Sequence, residues 1–134
     1  VRPTVIKFHT ASFFDKKNHH GICFSIAMSQ PEQFSFPQLK MLVPDTKTLS
    51  LFRSKRIGEE IYARRYTRET LVSLRPKTLI EKIRKLCPNI EVTDVTLLCW
   101  EPSGTFCHRQ LVMAWLMRNK HLVRFAGYEI GYDE

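Results

Sequence analysis

The chain has 134 residues, 43% of them hydrophobic and 25% charged, with a formal net charge of +8. That length suits one domain, residues 1–134, with room for a core that needs no covalent staples. No apolar run approaches the roughly 20 residues of a membrane span and no secretory leader pattern stands at the start. A cytoplasmic location without membrane contact is therefore expected, with Cys23, Cys87, Cys99 and Cys107 as reduced thiols.

Val5 to Thr10 reads as a first strand, followed by a polar loop, 15–21, that ends in Gly21. Residues 22–27 are nearly continuous in apolar character, the pattern of a strand covered on both faces. Pro31, Pro37 and Pro44 then punctuate an irregular segment, which Phe34, Phe36, Leu39, Leu42 and Leu49 would pin to the body. A helix is predicted over 59–74, with Ile61, Tyr62, Tyr66, Leu71 and Leu74 as its apolar stripe and Arg64, Arg65 and Arg68 off it. Pro76 divides it from a second helix over 77–87, whose stripe is Leu79, Ile80, Ile83, Leu86 and Cys87. A buried strand over 95–100, a helix over 106–119 ending at Asn119, and a last strand over 121–125 complete the order. Strands alternating with helices predict a three-layer α/β domain with a mainly parallel sheet flanked by helices.

The chemistry gathers where that third strand meets the last helix. Cys99, Glu101, Cys107, His108 and Arg109 fall within eleven residues, and ligands in open α/β sheets bind beyond the carboxyl ends of strands. With Thr105 as N-cap, the amides of Cys107 and His108 would face outward and attract an anion. Arg109 would add a two-pronged contact to phosphate or carboxylate, or else pair with Glu101 and pin the loop. A helix start favours a thiolate, which makes Cys107 a candidate nucleophile. Glu101 and His108 are candidates for proton transfer, and Cys99 is read as core. Tyr62, Arg65 and Tyr66 could reach the same crevice, or Tyr62 and Tyr66 could be core residues with wet hydroxyls.

Three sharper motifs are absent. Arg does not follow Cys99 by six residues, because position 105 is Thr, which excludes a phosphatase-like or rhodanese-like loop. The sequence spacing lacks the paired ligands of a structural zinc site, so no metal is predicted. There is no glycine-rich phosphate fingerprint, and no cofactor is implied.

Leu97-Leu98-Cys99-Trp100-Glu101, followed by Phe106-Cys107-His108-Arg109 and by Leu111 to Leu116, resembles the domain-of-unknown-function 488 family, in particular its short single-domain branch. Weaker similarity covers nearly the whole chain. The resemblance implies a small α/β domain whose site gathers the Ser12 loop, the end of the second strand at Ser25, and the loop carrying Glu101, Cys107, His108 and Arg109. It supplies no substrate. Met28 stands where the related branch tends to carry Arg, and loss of an anion-holding Arg would mark a non-catalytic member.

Two functions follow as expectations. The first is an enzyme or enzyme-like binder for a nucleotide-type or other phosphate-bearing anionic small molecule, with Glu101, Cys107 and His108 as catalytic candidates. Arg109, Ser12, Ser25 and Tyr66 would be its ligand-binding residues. The second is a non-catalytic basic module for nucleic acid, carried by the net charge and the Arg64, Arg65 and Arg68 face.

Overall fold

In the run Val95-Thr96-Leu97-Leu98-Cys99 every residue is buried, which only a strand covered on both faces can satisfy. The computed structural model, which describes residues 6–102, 105–118 and 123–125, places this run inside a four-stranded sheet. The strands are β1 (Ile6–Ser12), β2 (Ile22–Ser25), β3 (Asp94–Cys99) and β4 (Val123–Phe125), in the spatial order β2-β3-β1-β4. All three pairings are parallel. This is an α/β domain with a parallel sheet, as predicted. The predicted end at Asn119 and the start of the last strand at residues 121 and 122 lie outside the described residues, as do residues 1–5.

Alternation along the strands sends two sets of side chains to two faces. Ile6, Phe8, Phe24, Ile26, Val95 and Leu97 face the main core, under α2 (Glu59–Tyr66), α3 (Pro76–Leu86) and α4 (His108–Met117). Each such fully buried side chain contributes about 2 kcal/mol by leaving water. Ala11, Phe13, Ala27 and Leu98 face the other way, where Phe34 and Phe36 of the proline-punctuated segment roof them. That segment is tied down by polar bonds. Gln30 bonds both the N–H and the carbonyl of Phe36, at 2.9 Å each, and the Ser25 N–H donates to the Pro37 carbonyl.

Several boundaries move, each for a local reason. Helix α1 (Thr46–Arg53) forms within the segment that the prolines predict to be irregular. Its signal is Asp45 after Pro44, an N-cap that accepts from the N–H groups of Lys47 and Thr48. The helix predicted over 59–74 is α2 followed by a π turn, Thr67–Leu71. Tyr66 and Leu71 stand five residues apart, a spacing an α-helix cannot keep on one face; the π turn lets both be buried. Ile61 and Leu86, assigned to apolar stripes, point outward at 48% and 42% exposure. Gly21 enters β2 with a φ of +63°, and a Cβ there would lie 2.1 Å from the Asp94 carbonyl oxygen. Only glycine fits.

Candidate functional site

Parallel strands put their carboxyl ends on one edge. Ser12 pairs with Cys99 across β1 and β3, and Ser25 with Leu98 across β2 and β3. The loop after β3 and the start of α4 return to this edge. A cleft of about 530 Å³ opens there, within the usual range for small-molecule sites. Cys99, Glu101, Cys107 and His108 form its floor, and Met28 and Tyr62 belong to its walls.

Helix α4 begins two residues later than the predicted cap implies. Its N-cap is Cys107, not Thr105. The Cys107 N–H donates to Gln110 Oε1 at 2.6 Å, completing a capping box. Phe106 packs edge-on against Phe52 and Tyr62, which holds residues before Cys107 out of the helix. The Cys107 amide is thus already engaged, and the expected anion cradle of the Cys107 and His108 amides is not what the helix start presents.

His108 is held from both sides. Its Nε2 lies 2.7 Å from the Ile26 carbonyl oxygen. A carbonyl only accepts, so Nε2 carries a proton and, in the neutral ring, Nδ1 bears the lone pair. Nδ1 faces two sulfurs, Cys107 Sγ at 3.6 Å and Cys99 Sγ at 3.8 Å. Cys99 Sγ also lies 3.5 Å from Glu101 Oε1. Burial pushes the Cys107 thiol well above its ordinary value, and the neighbouring Cys99 adds to this. The sequence predicts a favoured thiolate; the folded environment works in the opposite direction, because desolvation outweighs the nearby imidazole.

The other predicted residues stand around the floor rather than in it. Tyr66 is fully buried, donates to the Leu42 carbonyl at 2.6 Å and packs its ring 5.3 Å from that of His108. Ser12 donates to the Trp100 carbonyl and accepts from the Phe14 N–H, and Ser25 accepts from the Ala27 N–H. Both serines shape strand ends. Arg109 is fully buried and donates to the Pro102 carbonyl at 3.2 Å, bracing the loop from behind. Arg65 bonds Thr48 and pairs with Glu69, tying α1 to the π turn. None of Tyr66, Ser12, Ser25, Arg109 and Arg65 lines the cleft.

The cations that do line the cleft are Arg53, Lys55 and Arg56. They follow from how α1 ends. The Arg56 N–H donates to the Leu51 carbonyl and the Lys55 N–H to the Phe52 carbonyl, the paired bonds of a Schellman motif. Lys55 occupies the left-handed position with a φ of 63°, which glycine usually takes. The sequence shows these residues as a basic cluster without placing it; the signal that places them is the Asp45 cap that starts the helix they terminate.

A parallel sheet with a cleft at its carboxyl edge defines a protein of the α/β class. Residues 24–120 match the active DUF488-N3 subclade. That is more than half of the chain, which therefore belongs to the domain-of-unknown-function 488 family. No curated protein and no solved structure matches it. No helix among the described residues is long and apolar enough to cross a membrane.

Proposed function

We propose that this protein is an enzyme, or enzyme-like binder, for a nucleotide-type or other phosphate-bearing anionic ligand. One observation carries the reading: Arg53, Lys55 and Arg56 rim the same cleft whose floor is Glu101, Cys99, Cys107 and His108. The exposed cations receive the anion. Glu101 and His108 move protons, and a thiol beside His108 Nδ1 can hand its proton to that nitrogen as it becomes a nucleophile. Met28 supplies an apolar wall, and positive charge enters from the α1 end.

The nucleic-acid alternative draws less from the structure. Arg64 pairs with Glu60 and Arg65 with Glu69, so two of the three cations on that helical face are already engaged with carboxylates.

Titration calorimetry with nucleoside monophosphates and inorganic phosphate tests the proposal. Saturable binding is expected, weakened about tenfold or more (~1.4 kcal/mol) in the R53A/K55A/R56A variant. No heat at millimolar ligand would overturn it. Binding confined to oligonucleotides, steeply lost with salt and untouched by Glu101→Gln, would establish the alternative.

A further inference from the structure

The three ligating atoms on the cleft floor have a relation that neither proton transfer nor packing requires. Cys99 Sγ, Cys107 Sγ and His108 Nδ1 all lie within 4.8 Å of one another, and all three residues are buried. A tetrahedral zinc ion with Zn–S about 2.3 Å and Zn–N about 2.0–2.1 Å sets its sulfur and nitrogen ligands about 3.6 Å apart. The two S···Nδ1 separations here are 3.6 and 3.8 Å. We propose that Cys99, Cys107 and His108 form a three-ligand site for a thiophilic divalent cation, zinc by its chemistry, with the fourth position open to the cleft.

Further features agree. A metal-bound histidine donates its other ring N–H to a fixed acceptor, which sets the tautomer, and His108 Nε2 has the Ile26 carbonyl for this. Tyr66 packs against the same ring and holds its plane. Two thiolates balance the two charges of the cation, so a neutral unit occupies a buried pit; both thiol protons leave to solvent as the metal binds. Two sulfurs and one imidazole with one open position is the donor set of a catalytic zinc centre rather than a closed structural one. Glu101 lies beside Cys99 Sγ at 3.5 Å and lines the cleft, where it meets whatever occupies that position. With the metal seated, the sulfurs act as ligands instead of nucleophiles, and Glu101 is the proton-transfer group that remains.

This proposal concerns metal content and stands apart from the anion reading. The test is titration of the chelator-stripped, reduced, full-length protein with Co²⁺, followed by displacement with Zn²⁺. One Co²⁺ per chain is expected, with the visible bands of tetrahedral geometry, sulfur-to-metal charge transfer in the near ultraviolet, and loss of both on adding Zn²⁺. The C23S/C87S variant keeps these signals and C99S/C107S loses them. His108→Ala weakens affinity by more than the about 10–100-fold lost when only a ligand's outer partner is removed. Because the Cys variants can unfold, the wild-type titration decides first: folded reduced protein that takes up no metal overturns the site. So does a full signal in C99S/C107S, or a Cys99–Cys107 disulfide formed in place of metal under the same reducing conditions. R53A/K55A/R56A separates the two proposals, since it is expected to lose anion affinity while keeping one metal per chain.

Discussion

The sheet carries two imidazole clusters, and they differ in nearly every physical respect. Toward the amino ends of the strands, His9 bonds Asp94 at 2.9 Å and stacks on His20 with ring centroids 4.4 Å apart. The Asp94 side chain keeps 34% of its exposure, so solvent shares the charge. At the carboxyl edge, His108 is buried between two thiols and a carbonyl, with no acid on its ring. The first cluster is a hydrogen-bonded pair that joins two strands. The second is a polarised, water-poor set of donors facing a cleft. The same residue type serves adhesion in one place and offers chemistry in the other, because parallel strands send their loops and helix starts to only one edge.

Substitutions can break this contrast. The largest effect is expected at Arg109, whose fully buried side chain braces the loop behind the cleft. Arg109→Ala should cost about 3–4 kcal/mol, as for other large buried side chains, read as a lowered midpoint in urea. A loss under ~1 kcal/mol would show that the loop does not need its brace. At the amino end, Gly21→Ala should cost about 2–3 kcal/mol, from a left-handed backbone and a clash with the Asp94 carbonyl. An unchanged melting temperature would mean that β2 can shift to accommodate it.

Smaller effects sharpen the comparison. Asp94→Asn should cost only about 0.5–1 kcal/mol, the worth of a half-exposed pair. The hydrogen bond from His9 lowers the Asp94 carboxyl below its ordinary value. Its contribution is therefore present above the unfolded carboxylate value, near pH ~3.9, and fades as pH falls through the lowered folded value. Denaturation midpoints of the wild type and Asp94→Asn should converge in acid; a constant gap would refute the pairing. At the other edge, raised thiol basicity at Cys107 should make its alkylation slow in the native, metal-free state and fast after unfolding. Equal rates in both states would contradict its burial. Lys55→Gly should raise stability by about 0.5–1 kcal/mol by relieving the left-handed turn, while weakening anion binding. Strain kept for a lysine at the rim is intelligible if that charge is used there.

Much of this protein was readable along the chain. Continuous apolar runs announced β2 and β3, because strands covered on both faces can carry little else. The crowding of Cys99, Glu101, Cys107 and His108 marked the handover from strand to helix, and the motif there named the family that residues 24–120 match. What the chain alone could not show is direction and depth. Arg109 sits among reactive neighbours in sequence, yet packing turns it away from the cleft. Arg53, Lys55 and Arg56 lie over 40 positions from Cys99, and the end of α1 carries them to the rim. Eight residues separate Cys99 from Cys107 along the chain, and only the return of α4 onto the strand end brings their sulfurs together. Periodicity determines which residues leave water; the close approach of atoms distant in sequence is decided by how the sheet edge, the loop and the helix start pack, and there the site is made.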